Sequence, residues 1–476
     1  MTGIRATRPG VTVPTVRHPS LALVAVLMGP FMAMLDVFIV NVAAPSMQKQ
    51  LHTSFAAIQF VIGGYIVAFA MGLVTAGRLG DMLGRRRIYV AGLVCFAVTS
   101  AGCAAAPSTD VLIGLRLLQG LSAALMLPQV LALIQVHFPK DQQSRLLGFY
   151  GAAQALGSIS GQLLGGVLVR IDPATLGWRT IFLANIPLCV VALGCAVAGI
   201  PSLDTRNTGV RFDPLGVLLL SAAVGLLLCP LVIGAQDGWP VAVYPPLAAS
   251  LIGFAVFAWW ESRMPEAGHA ALLPMRLFRL PGFENGLPTS AAFYFGNSGF
   301  YLVLAFYLQD GIGLSPLGAA FVFLALAAPI GLASLMSRSL VTRFGYRLVR
   351  WAAAVMVLGF ALIYLSIGGG SATAQSLRLL PGLIVCGLGL GLVLPCLLGL
   401  VLQRVDAADA GAAAGGVLTA SQVAAALGVA GVGAVFRSAS GGHAYDTAFG
   451  TSILVLGAVG VVSFALLTRL IRKATG

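Results

Sequence analysis

Charge is what this chain has least of. Asp, Glu, Lys and Arg make up only 9% of its 476 residues, against 58% apolar residues. A soluble fold cannot cover that much apolar surface with so few charges. Acid is scarcer than base, with 15 Asp plus Glu against 28 Lys plus Arg, and only Lys49, Lys140 and Lys473 are lysines. The cysteines at 95, 103, 189, 195, 229, 386 and 396 all lie in apolar runs, with no C-x-x-C among them. That spacing argues against a disulfide framework and against a zinc site. His18, His52, His137, His269 and His443 are scattered, so no metal set is visible. No G-x-x-x-x-G-K-[ST] stretch is present, which argues against ATP hydrolysis. Gly157-Ser158-Ile159-Ser160-Gly161 puts Ile where a nucleophile elbow needs Ser.

What is present is long apolar runs. They are continuously apolar rather than alternating, which points to transmembrane helices and not to a membrane β-barrel. Against the ~20 residues needed to cross a bilayer, the chain predicts fourteen spans: 20–46, 56–78, 88–106, 110–137, 144–169, 179–200, 214–235, 243–261, 284–308, 315–337, 347–367, 376–402, 411–436 and 450–471. The eighth is interrupted at its start by Pro245-Pro246, and the fourth carries Arg116. Arg5, Arg8 and Arg17 precede a first run with no cleavage signal, so that run reads as a retained span.

The few charges fix an orientation. With the N-terminus inside, 22 of the 28 basic residues fall on the cytoplasmic side and five on the other, while Arg116 is in a span. This split follows the positive-inside rule and predicts cytoplasmic termini in a multi-pass plasma-membrane protein. The net charge of +13 is spread over short loops, so nucleic acid is not an expected partner. Polar, proline-bearing spacers at 201–213 and 262–283 flank two spans. The expected organisation is a six-helix bundle over 1–200, two inserted helices over 201–270 and a second six-helix bundle over 271–476.

Three sites carry candidate chemistry. Asp36 is the only acid deep in a confident span. A carboxylate there is costly in lipid and must face the interior or water. Either it makes a structural bond inside the bundle, with Asn41 one candidate partner, or it exchanges protons. Arg116 in the fourth span, one turn from Gln119, either snorkels to the interface or serves proton movement or gating. The turn Gly77-Arg78-Leu79-Gly80-Asp81-Met82-Leu83-Gly84-Arg85-Arg86-Arg87 is either a solvated basic loop or a gate. Asp81 there can pair with an arginine or meet a helix N-terminus. Gly157, Gly161 and Gly165, with Gly166 beside them, form a stripe that lets another helix approach closely. Gly411, Gly415, Gly416, Gly428 and Gly431 echo it in the second half. Asn41, Gln119, Gln129, Gln154, Tyr294, Asn297, Tyr301 and Gln422 are polar residues in spans that could line a cavity.

The chain resembles the fourteen-helix drug:H⁺ antiporter branch of the major facilitator superfamily. Gly77 to Arg87 resembles its G-x-L-a-D-r-x-G-r-k/r-x motif, and Arg116-Leu117-Leu118-Gln119-Gly120 its R-x-x-Q-G motif. Leu35 to Pro45 resembles L-D-x-x-x-V-N-V-A-x-P, and Trp178 to Pro187 resembles W-R-x-x-F-x-x-N-x-P. The segments Leu273 to Arg279, Leu308-Gln309 and Ser315-Pro316-Leu317 fit the second half. One departure stands out: the family's helix-5 motif ends G-P-x-x-G-G, and here Gln162 replaces the proline.

The resemblance implies an all-α membrane transporter that exports small amphiphilic drugs by alternating access, using the proton gradient and no cofactor. It implies proton exchange at Asp36 tuned by Arg116, a cytoplasmic gate at Gly77, Asp81, Gly84, Arg85, Arg86 and Arg87, and a functional monomer in the lipid bilayer. The altered helix-5 motif keeps a metabolite importer or facilitator open. A non-transporting sensor or scaffold would need a soluble output domain, and the longest spacer, 262–283, is too short to fold alone.

Overall fold

The computed structural model describes residues 19–475 except 54, 139, 172–175, 202–212, 238, 264–270, 315, 346, 403–404, 406–408 and 441–444. Arg5, Arg8, Arg17, Arg206, Arg211, Arg404 and Ser315 therefore lie outside the described residues. The described residues form helices and no strand. In lipid each backbone polar group must find its partner within the chain, and continuous helix achieves that locally.

The long helices are α1 (Pro19–Gln50), α2 (Phe55–Leu83), α3 (Arg85–Ala105), α4 (Thr109–His137) and α5 (Lys140–Ile171). The sixth, α6, runs through Thr180–Leu183 and continues as Asn185–Gly199. Then come α7 (Pro214–Asp237), α8 (Tyr244–Arg263), α9 (Pro281–Phe306), α10 (Pro316–Phe344) and α11 (Arg347–Leu365). The last three are α12 (Ala372–Leu402), α13 (Ala410–Ser440) and α14 (Tyr445–Thr475). Among the described residues thirteen are long and apolar enough to cross a membrane. Helix α5 carries Gln154, Ser158, Ser160 and Gln162 along its apolar run and packs on α1 on one side and on α10 and α12 on the other.

Local chemistry sets the ends. Gly84 has φ 100°, a conformation that L side chains avoid, and it lets α2 turn into α3 through one residue. The Ser108 hydroxyl accepts from the Val111 N–H and caps α4, with Asp110 in the first turn. Pro245 and Pro246 do not interrupt α8. They sit in its first turn, where a missing N–H costs nothing.

The helices pair in a repeating pattern. Within α1–α6 the main pairs are α1 with α5 and α6, α4 with α2 and α3, and α3 with α6. Adding eight to each number gives the pairs within α9–α14. The contacts between bundles obey the same exchange: α2 packs on α13 as α10 packs on α5, and α4 on α13 as α12 on α5. This is a parallel repeat about an axis along the helices. The pair α7–α8 breaks it. These helices pack on each other, and α7 lies against α2 and α13, covering one of the two seams.

Small residues set the close approaches. A Cβ on Gly157 would overlap the Phe31 carbonyl of α1, and one on Gly428 would overlap the Phe295 carbonyl of α9. The helix pairs they join, α5 on α1 and α13 on α9, correspond in the repeat. A Cβ on Gly161 would lie 2.6 Å from the Leu35 carbonyl oxygen, and one on Gly165 3.1 Å from Val42. Gly166 departs from the expected stripe, since an added Cβ there meets nothing within 4 Å. It is one residue past Gly165 and so points about 100° away round the helix. The second-half glycines divide as well: Gly411 and Gly415 meet α2 across the seam, whereas Gly428 meets α9 within its own bundle.

Candidate functional site: a buried ion pair and a charged gate

Asp36 and Arg116 come together in the middle of the first bundle. Arg116 Nη1 donates to Asp36 Oδ2 at 2.5 Å, and both side chains are sealed, at 1% and 0% exposure. The same Nη1 reaches Gln119 Oε1 at 2.7 Å, and Nε donates to the Val61 carbonyl of α2 at 3.1 Å. The guanidinium lies 4.3 Å from the Tyr65 ring centroid and 5.8 Å from that of Phe182, so its faces meet aromatic surface. The other carboxylate oxygen, Oδ1, accepts from Gln119 Nε2 at 3.1 Å and Asn185 Nδ2 at 2.8 Å. The Ser100 hydroxyl accepts from Gln119 at 2.7 Å. Five helices, α1, α2, α3, α4 and α6, thus converge on one carboxylate and one guanidinium. A buried charge is tolerated only when paired and hydrogen-bonded, and this arrangement meets both conditions.

The structure fills the carboxylate with Asn185, not Asn41. Asn41 is exposed. Five residues along a helix is about 140° of rotation, so Asn41 cannot share the face of Asp36. Nor does Asp36 face water in this conformation. Asn185, Ser100 and Tyr65 were not grouped with Asp36 by sequence. Asn185 had a signal, the W-R-x-x-F-x-x-N-x-P motif, but nothing there names its partner.

The α2–α3 turn forms the second site. Asp81 Oδ1 accepts from Arg85 Nη2 at 2.8 Å and from the Gly411 N–H at 3.1 Å. Its Oδ2 accepts from the Ala412 N–H at 3.0 Å. A carboxylate of the first bundle thus caps the N-terminus of α13 in the second, where N–H groups lack helical partners and the dipole is positive. A Cβ on Gly77 would overlap the Gly411 carbonyl. Arg78 lies 4.0 Å from Asp409, which also pairs with Arg276. Arg86 and Arg87 are placed otherwise. Arg86 donates to the Val197 carbonyl near the end of α6 at 2.7 Å, and Arg87 is exposed.

Contacts between the bundles gather at this end. Thr419 Oγ1 donates to the Ala70 carbonyl at 3.5 Å, and Gln135 Nε2 to the Leu402 carbonyl at 3.4 Å. A Cβ on Gly148 of α5 would overlap the Ser334 carbonyl of α10. The molecule is therefore closed at the Asp81 end.

The candidate cavity residues divide. Gln119 belongs to the ion-pair network, and Gln129 bonds the Ala76 carbonyl at 2.7 Å as a link between α4 and α2. Gln154 reaches the Tyr150 hydroxyl at 3.4 Å and stays half-buried. Tyr294, Asn297 and Tyr301 are half-buried on one face of α9, with Tyr150 of α5 beside Tyr294. Gln422 is half-buried on α13. No cluster of His, Cys, Asp and Glu able to hold a metal ion occurs among the described residues.

Sequence comparison matches the family description Major Facilitator Superfamily over residues 26–215 and 213–429. The chain belongs to the major facilitator superfamily. It is a membrane transporter and not an enzyme. It is 35% identical to the probable actinorhodin transporter of Streptomyces coelicolor over 427 residues, covering 89% of this chain and 73% of that protein. It is 32% identical to the tetracenomycin C resistance and export protein of Streptomyces glaucescens, covering 89% and 77%. The human organic anion transporter MFSD10 shares the fold, with a TM-score of 0.66 at 15% identity over 95% of this chain and 99% of that one.

Proposed function

We propose that this protein exports small amphiphilic compounds, antibiotics among them, in exchange for protons. The observation that carries the reading is the sealed Asp36–Arg116 pair, on a chain whose relatives are named for antibiotic export. The charge distribution puts the Asp81 end in the cytoplasm, with both termini. The conformation described is then closed to the cytoplasm. A proton reaching Asp36 from outside removes the charge that holds α1 to Arg116 and weakens the bond that Asn185 of α6 donates to Asp36. Arg116 keeps two acceptors after that loss, Gln119 Oε1 and the Val61 carbonyl, so the guanidinium is not orphaned. The freed α1 is packed on α5 through Gly157, Gly161 and Gly165, and α5 touches α10 across the interface. Protonation thereby shifts the angle between the bundles and opens the Asp81 seam.

Substrate occupies the half-buried surface of Gln154, Tyr294, Asn297 and Tyr301, which offers aromatic faces and neutral hydrogen-bonding groups. The protein works as a monomer in the bilayer, with the proton gradient as its energy source and no cofactor. Uptake of a metabolite is the second reading, favoured only by Gln162 in place of proline. Cells with and without the protein, challenged with actinorhodin and tetracenomycin C, separate the two. Export predicts lower intracellular drug and higher tolerance, both abolished by a protonophore. Raised intracellular drug would favour uptake.

A further inference from the structure

We propose that the α7–α8 hairpin braces the α2–α13 seam and that Glu261 is the residue that positions the brace. Glu261 is completely buried near the end of α8. Both its oxygens are taken up by backbone, Oε1 by the Leu272 N–H at 3.1 Å and Oε2 by the Leu273 N–H at 3.3 Å. Those residues open the segment that returns to α9. Leu273 packs on α13, where a Cβ on Gly416 would stand 3.0 Å from it. The one-turn helix Met275–Arg279 follows, and its Arg276 pairs with Asp409 at the start of α13. Asp409 in turn lies beside Arg78 of α2. A continuous set of contacts therefore runs from α8 through the return segment to both helices of the seam.

The hairpin's other terminus is tied to the same point. Asp213 Oδ1 accepts from the Gly216 N–H at 3.0 Å, capping α7, and Oδ2 accepts from Trp260 Nε1 at 2.9 Å. Asp213 and Glu261 both border Gly216. Among the described residues neither α7 nor α8 packs substantially on the equivalent seam, α5 with α10. The two seams are otherwise related by the repeat, so the insert biases one of them. When the Asp81 end opens, α2 must leave α13, and the Arg78–Asp409 contact, which Arg276 helps to place, must part. Glu261 opposes that by holding the return segment where Arg276 reaches Asp409.

The test needs neither substrate nor gradient, so it can fail without the export reading failing. Spin labels attached bio-orthogonally at Leu83 and Arg343, both exposed and on different bundles at this end, report its width in lipid nanodiscs by electron–electron distance measurement. Losing hydrogen bonds to a buried charge predicts about a tenfold rise in the ratio of long to short distances for Glu261→Ala. Asp409→Asn should give the same rise, and the double variant no more than either alone, because both act on one set of contacts. Glu261→Gln keeps one good acceptor and should fall between, and it carries the test if Glu261→Ala does not fold. A ratio within twofold of the parent for Glu261→Ala, or for Glu261→Gln in its place, overturns the proposal even if the melting temperature drops. So do effects that multiply with Asp409→Asn.

Discussion

Replacing Asp36 by Asn is the most informative perturbation of the buried pair. The change removes the charge facing Arg116 and turns one acceptor oxygen into a donor group. Three donors now converge there, from Arg116, Gln119 and Asn185, at 2.5, 3.1 and 2.8 Å. An amide can satisfy at most part of that set, and the guanidinium is left in a site with 1% exposure. Breaking a buried pair by removing one partner costs about 3–5 kcal/mol. The assay is thermal or denaturant unfolding in a fixed nanodisc, run beside Arg116→Gln and the double variant. The double variant removes both charges and leaves neutral amides, so it should recover about 2–3 kcal/mol of the summed losses. Transport should not recover with it, because no carboxylate remains in the site. Single and double losses that simply add would refute the account of a coupled pair. So would an Asp36→Asn protein as stable as the parent.

Other expectations follow from the packing. Gly161→Ala puts a methyl group against the Leu35 carbonyl and should cost about 1–3 kcal/mol, whereas Gly166→Ala should unfold like the parent. Asp81→Asn weakens the cap on α13 by about 1 kcal/mol, and should raise labelling at the Asp81 end of a thiol placed at Thr419. Tyr301→Phe and Asn297→Ala should change the order of drugs tolerated by cells while leaving the melting temperature within a few degrees. Equal loss of tolerance to every drug would instead mark those residues as structural.

Much of the fold was legible because lipid leaves the backbone few choices. Continuous apolar runs gave the spans, and α5 reads as one although it carries four polar residues, because it packs on helices of both bundles. The site was legible in its parts and not in its pairing. Asp36, Arg116 and Asn185 each sit in a recognisable stretch, but Asp36 is 80 residues from Arg116 and 149 from Asn185. No local spacing reports contacts at such separations. Asn41 was near in sequence and on the wrong side of the helix. Asp81 was legible as a helix-capping carboxylate, though the helix it caps, α13, begins some 330 residues later. Glu261 and Asp409 were hidden for another reason. Glu261 bonds to backbone N–H groups, which every residue but proline carries and no motif marks.

Whether proton movement through Asp36 drives export is decided with purified protein in liposomes that enclose a pH dye, with no gradient imposed. Adding actinorhodin or tetracenomycin C on the side that carries the Asp81 end should move protons out of the opposite compartment as drug enters it. Asp36→Asn should bind the drug and move no protons. Drug transport by Asp36→Asn with proton movement at the parent rate would contradict the account.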